Sequence, residues 1–356
     1  MPSERWVTDA DAERLLHDLV ATPSVSGDES AAVHLLVNWM QTHGYDRAYA
    51  DEAGNAVGVI GNGARDVVLL GHIDTFPGTP PVRLDGRRLH GRGTVDAKGP
   101  LCAFAAAALR ADLPADVRLI VIGAVEEESA TSRGARHAAG FFQPAICIIG
   151  EPSRWDRITL GYKGRLLADW TWRGPLAHSA AAVASPAERA VAYWECVHTC
   201  VETVNIGRDS AFERLDAALR AINTRDDGSY GEAHLTIGFR LPPGTPPASV
   251  AAALSDDGGA LRVYGAEAAF TAGRDTLLSR ALRGAIREHG GQPRFVYKTG
   301  TSDMNVVGPL WNCPILAYGP GDSALDHTPD EHIDLDEYLL SMEVLSTALS
   351  RLCLEP

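Results

Sequence analysis

No apolar run in the chain approaches the ~20 residues of a membrane span, and Met1 to Ala10 lacks the basic-then-apolar order of a secretory signal. Positive charge is also scarce. With 32 Lys and Arg against 46 Asp and Glu the formal net charge is −14, which argues against nucleic acid or an anionic membrane as the main partner. Six cysteines, Cys102, Cys147, Cys196, Cys200, Cys313 and Cys353, are too few and too scattered for a disulfide framework or a thiolate zinc site. Most of them sit in apolar stretches and read as reduced core residues. There is no internal repeat and no low-complexity tail. These absences leave a cytoplasmic enzyme or binding protein. Its 356 residues suffice for two domains at roughly 150 residues each.

Thr8-Asp9-Ala10-Asp11 has the form of a capping box, and Leu15, Leu16, Leu19 and Val20 follow at helical spacing. A second helix is expected from about Asp28 to His43, ending at Gly44. Short apolar runs then recur at Ala56–Ile60, Val67–Leu70, Leu119–Val125, Ala145–Ile149 and Ile315–Tyr318. Bounded by glycine or proline and separated by helical stretches, such as the Ala-rich Leu101–Ala111, they describe the buried strands of an α/β sheet. The middle of the chain differs. Alternating Arg165–Trp172, a helix over Ser185–Val204, alternating His234–Arg240, an Ala-rich helix and Leu261–Phe270 predict a small inserted α+β domain of order strand–helix–strand–helix–strand.

Chemistry gathers where these apolar runs stop. Val67–Gly71 runs into His72-Ile73-Asp74, Leu119–Val125 into Glu126-Glu127-Glu128, and Ile146–Gly150 into Glu151. Pro314–Tyr318 leads through a Gly-Pro-Gly turn to Asp326-His327, and Asp96 lies in the Gly-rich loop Gly91–Gly99. In open α/β sheets, ligands bind beyond the carboxyl ends of the strands. Carboxylates gathered there repel one another unless positive charge lies among them, and a divalent metal supplies it. Two imidazoles with three or four carboxylates suit Zn²⁺, Co²⁺ or Mn²⁺. That number exceeds one tetrahedral zinc and suits two ions ~3.5–4 Å apart, bridged by a carboxylate. In His72-Ile73-Asp74 the aspartate is placed to orient the imidazole.

Gly71–Thr75, Gly91–Gly99, the triple glutamate, Gly150-Glu151-Pro152-Ser153 and the late His327 together resemble the co-catalytic zinc aminoacylase/carboxypeptidase family. That family includes acetylornithine deacetylase and succinyl-diaminopimelate desuccinylase. The resemblance implies a zinc-peptidase-type mixed sheet flanked by helices over residues 1–161 and 272–356. It places a smaller ferredoxin-like lid and dimerisation domain at 162–271. It also implies an amide hydrolase with two Zn²⁺ per subunit, Co²⁺ being a substitute. His72 and Glu151 would bind one ion, Glu128 and His327 the other, with Asp96 bridging and Asp74 beside His72. Relatives commonly read Asp-Glu-Glu-Gly where this chain has Glu126-Glu127-Glu128-Ser129. Counting back without gaps from Gly134 puts Glu127 on the general base; a shift of one residue would put Glu126 there. His178, in Gly174-Pro175-Leu176-Ala177-His178-Ser179, falls where the family's inserted domain carries an oxyanion-stabilising histidine, which the resemblance assigns to its own site or, in a homodimer, to the partner's.

Leu160–Leu166, Lys298–Asn305 and Tyr318–Ser323 are similar to one branch of that family. Its members release lysine or ornithine from the terminal γ-glutamyl group of a small acidic amino-group carrier protein in lysine or arginine biosynthesis. The alternative is a deacylase of small N-acyl amino acids. An acidic carrier calls for a local basic rim, for which Arg83, Arg87, Arg88, Arg92, Arg154, Arg157, Lys163 and Arg165 are the candidates.

Overall fold

The computed structural model describes residues 7–178 and 180–354. The chain divides into two compact units. The first runs to Gly161 and adds Ala272–Tyr297 and the segment from Ser302 onward; the second is Tyr162–Thr271 with Lys298–Thr301. Among the described residues no helix is long and apolar enough to cross a membrane.

The first unit is built on a mixed sheet. Its strands lie in the order Arg47–Ala50, Ala56–Ile60, Val117–Ala124, Arg65–His72, Ile146–Gly150, Ile315–Tyr318 and Arg157–Tyr162, with Arg294–Lys298 also on the last of these. Four neighbours, Val117–Ala124, Arg65–His72, Ile146–Gly150 and Ile315–Tyr318, run parallel and are almost wholly buried, as their unbroken apolar runs require. Ala56–Ile60 and Ile315–Tyr318 match the expected bounds; Arg65–His72 extends the expected run by two residues at each end, Val117–Ala124 starts two residues earlier and ends one earlier, and Ile146–Gly150 is shifted on by one. The helix Asp9–Ala21 begins at the Thr8 capping box: the Asp11 N–H donates to Thr8 Oγ1 at 3.0 Å, and the Thr8 N–H to the Asp11 carboxylate at 3.2 Å. Helix Ser30–Thr42 starts two residues later than expected, and Gly44 follows it at φ +99°.

At the carboxyl ends of the parallel strands, Gly71 stands opposite both Gly123 and Gly150. This row of glycines gives helix Lys98–Arg110 its place. A Cβ on Gly123 would meet Leu101 Cδ2 at 3.1 Å, and one on Gly150 would meet Phe104 Cε2 at 2.9 Å. The alanines of that helix are buried along its whole length, so small residues on both surfaces let it sit close to the sheet.

The second unit has a four-stranded antiparallel sheet in the order Asp216–Asp226, Tyr230–Leu241, Gly164–Pro175, Ala260–Glu267. Leu166, Ala168, Trp170, Leu235, Ile237 and Phe239 pack with Ala190, Tyr193, Val197 and Val201 of helix Pro186–Val204. Asp216–Asp226 corrects the three-strand reading of the residue pattern, so the order is strand–helix–strand–strand–helix–strand. That strand is an edge with mostly exposed residues and few large apolar side chains, which is why alternation did not reveal it. Cys102 and Cys147 are buried, whereas Cys196 is exposed rather than part of the core.

Gly150→Ala should destabilise the protein by about 1–3 kcal/mol, since the added methyl group overpacks against Phe104 and the Gly71 backbone. Urea unfolding measures this, and an unchanged midpoint would contradict the close helix–sheet contact.

Candidate active site

The parallel register decides what meets at the sheet edge. With Gly71 level with Gly123 and Gly150, the chain leaves three adjacent strands on one side, carrying His72, the triple glutamate and Glu151. Two loops from elsewhere join them. Asp96 arrives on the Gly-rich loop, and His327 follows the turn Ser323–Leu325. His72 Nε2 lies 3.2 Å from Asp96 Oδ1 and 4.0 Å from Glu151 Oε1. His327 Nε2 lies 3.0 Å from Asp96 Oδ2 and 2.8 Å from Glu128 Oε1. Asp96 thus turns one oxygen to each imidazole. His72, Asp96 and Glu151 form one group of potential metal ligands and Asp96, Glu128 and His327 a second, the ligand atoms of each lying within 4.8 Å of one another.

The imidazoles are oriented from behind. His72 Nδ1 is 3.0 Å from the Asp74 carbonyl oxygen, which can only accept, so Nδ1 carries the hydrogen and Nε2 faces Asp96 and Glu151. The Asp74 carboxylate lies farther off, 3.5 Å from Nδ1. It also accepts the backbone N–H groups of Glu127 and Glu128, each at 3.0 Å, and the Ser26 hydroxyl at 2.6 Å. Asp74 therefore holds both the histidine and the glutamate loop. The His327 ring stacks on Phe76 at 4.2 Å between centroids.

The charges are strongly perturbed. Burial raises the Glu151 carboxyl well above its ordinary range, and the Glu127 carboxylate adds to the shift. Glu127 is also raised well above its ordinary value; desolvation is the main cause, countered by His72 and reinforced by Asp303, Glu128 and Asp96. For His327, burial lowers the pKa, but hydrogen bonds to Asp96 and Glu128 outweigh it and push the value up to about 10. Asp96 moves the other way: burial is overcome by its bonds to the two imidazoles, which hold it below the usual carboxylate range.

The carboxylates of the triple glutamate part company. Glu126, at φ +60°, turns its carboxylate to Arg133 at 2.7 Å and to the Thr131 hydroxyl at 2.5 Å, whereas Glu127 interacts with His72, Glu128 and Asp96. His178 belongs to the second unit, where it is exposed and its Nδ1 accepts the Ala180 N–H at 3.1 Å. The expected basic rim is largely engaged within the chain. Arg87 bonds Glu13 and Asp336, Arg92 bonds Glu331, Arg154 bonds Asp322, and Lys163 is buried against Asp216.

Three supporting residues escaped the sequence reading. Glu331 accepts backbone N–H groups of the Asp96 loop, Glu29 accepts the Glu126 N–H at 3.2 Å, and Phe76 backs His327. A weak signal existed for Phe76, which follows His72-Ile73-Asp74-Thr75 directly.

Chelator-stripped protein should lose stability as pH rises from about 7 to about 8, above which buried Lys98, whose pKa burial lowers to about 8, opposes the trend. The raised His327 pKa gives stability that is complete below the unfolded value near 6.5 and lost through about 10. Glu127 and Glu151 have the same sign, because each raised carboxyl must carry a buried charge once deprotonated. The lowered Asp96 contributes no slope in this window, since both its folded and unfolded values lie below it. Urea midpoints across the range test the slope, which His327→Ala should reduce; midpoints that rise with pH would refute this assignment of charges.

The sequence profile of the peptidase family M20/M25/M40 matches residues 68–351. A LysW-lysine hydrolase from Deinococcus radiodurans is 47% identical over 97% of this chain and 98% of its own length. A putative LysW-lysine/LysW-ornithine hydrolase from Thermococcus kodakarensis is 39% identical over 95% of this chain and 91% of its own. Among solved structures, an M20-family metallo-carboxypeptidase from Sulfolobus solfataricus covers 97% of the chain, and 100% of its own, at a TM-score of 0.79 and 17% identity, which speaks for the fold alone. With its mixed sheet, its gathered carboxylates and imidazoles and these near-full-length relatives, the chain belongs to the M20/M25/M40 peptidase family.

Proposed function

We propose that the protein is a metal-dependent amide hydrolase that releases lysine or ornithine from the γ-glutamyl end of an amino-group carrier protein. The carrying observation is Asp96, whose two oxygens each face an imidazole in a site where other carboxyls are pushed up by burial and mutual repulsion. The near-full-length relatives support the substrate class.

The donor set fits two divalent ions. Each group offers one imidazole and two carboxylates, a mixture suited to Zn²⁺ or Co²⁺, and repelling carboxylates are what a cation would relieve. His72 and Glu151 would hold one ion, Glu128 and His327 the other, with Asp96 shared. Ions bound there would supply positive charge to polarise the scissile carbonyl and to acidify a water.

Glu127 is the general base of this reading. Its raised pKa suits a group that takes a proton from the attacking water and returns it to the leaving amine, and Glu126 is occupied by Arg133 and Thr131. Asp74 keeps Glu127 in register through its backbone N–H. His178, from the unit read as the inserted lid and dimerisation domain, stabilises the tetrahedral oxyanion in its own or the partner's site. The reading extends to a cytoplasmic homodimer acting on an acidic carrier.

Incubating the zinc-loaded protein with a lysine-charged carrier and with acetyl-ornithine, and measuring amine release, tests the substrate class. Preference for the carrier adduct is expected, and equal turnover of the two would overturn the carrier reading. Glu127→Gln should lower kcat by ~10²–10⁴ with the ions retained. His178→Ala should cost ~10²–10³ in kcat. A wild-type rate in either variant removes that residue from the mechanism.

A further inference from the structure

We propose that Glu331 is a positioning residue that fixes the Asp96 loop to the His327 loop so that both present ligands to the same pair of ions. The proposal rests on the two-ion reading of the site. The Glu331 side chain is fully buried. Its Oε1 accepts three backbone N–H groups of the Gly-rich loop, those of Gly93 at 2.9 Å, Val95 at 3.0 Å and Asp96 at 3.3 Å. Its Oε2 accepts from Arg92 Nη1 at 2.6 Å.

Arg92 carries the connection onward. Nη2 donates to the His327 carbonyl at 3.3 Å and Nη1 to the Thr328 carbonyl at 3.4 Å. One carboxylate and one guanidinium therefore tie two loops that begin more than two hundred residues apart in sequence. The backbone adds to the tie, since Gly91 N–H donates to the Glu331 carbonyl at 3.1 Å and His332–Asp334 pairs antiparallel with Arg88–His90. Asp96 and His327, thus linked from behind, meet again in front at 3.0 Å.

The carboxylate is chemically specific here. A glutamine has one acceptor oxygen and one NH₂ donor. With its oxygen toward the three N–H groups, the NH₂ faces the Arg92 guanidinium, donor against donor. In the flipped orientation the NH₂ faces the three N–H groups instead. Neither orientation satisfies both sides, and the largely buried guanidinium loses its counter-charge.

The test is a Co²⁺ titration of chelator-stripped, full-length protein, read by the visible ligand-field spectrum, beside steady-state kinetics of the loaded enzyme. Glu331→Gln is expected to bind Co²⁺ about 10–100-fold more weakly and with an altered spectrum, as when groups supporting metal ligands are removed elsewhere. Its kcat should fall while KM changes little. Arg92→Lys, which keeps the charge but loses the fork, should shift in the same direction by less. Wild-type affinity and spectrum in a folded Glu331→Gln variant would overturn the proposal; if that variant does not fold, wild-type values in Arg92→Lys would overturn it. Wild-type protein that takes up no Co²⁺ would overturn the two-ion reading itself and this proposal with it.

Discussion

Like charges forced into one place at the end of a parallel sheet set the terms for the rest of this molecule. Glu127, Glu128 and Glu151 all have raised pKa values, with burial the main cause and neighbouring carboxylates adding to it. Asp96 escapes that trend because an imidazole faces each of its oxygens. Such a cluster persists only if the fold over-determines its geometry and positive charge enters it. Strand register meets the first condition for three of the segments, and the donor set suits divalent cations, which on the proposed reading meet the second.

A second layer of acids does different work. Asp74, Glu29 and Glu331 are buried carboxylates whose oxygens accept backbone N–H groups of the loops that present the reactive side chains. A carboxylate is well suited to this, because it can accept several donors at once and charge-assisted bonds are stronger than neutral ones. The inner carboxylates meet imidazoles and, on the proposed reading, metal; the outer ones hold backbone. The glycine row and the Ala-rich helix sit behind both layers and keep the strand ends in line.

Much of this was legible before folding was considered. Apolar runs that stop abruptly at His72, Glu126 and Glu151 mark strand ends because buried parallel strands need continuous apolar sequence, and the Thr8 capping box reads directly from local hydrogen-bond chemistry. Less visible was whatever depends on which atom faces which. His72-Ile73-Asp74 suggested a carboxylate behind the imidazole; the Asp74 carboxylate does lie there, 3.5 Å from Nδ1, but the residue's backbone carbonyl is nearer at 3.0 Å and the carboxylate is shared with the glutamate loop. Glu331 stood in a polar stretch, Asp330-Glu331-His332, indistinguishable from surface until the fold brought Arg92 to it. The basic residues read as a rim were counted correctly as charges, but their partners at Glu13, Asp322 and Asp336 lie far away in sequence. The edge strand Asp216–Asp226 left no alternation because little of it is buried.

The central claim is that Asp96 belongs to two ion sites at once, and counting tightly held ions in wild-type protein and in Asp96→Asn tests it most directly. The account predicts about two divalent ions per wild-type chain, and in the variant a loss that touches both sites together, because each imidazole loses the same charged neighbour. Wild-type protein that holds no tight ions, or a variant that keeps its full complement with undiminished affinity, would contradict it.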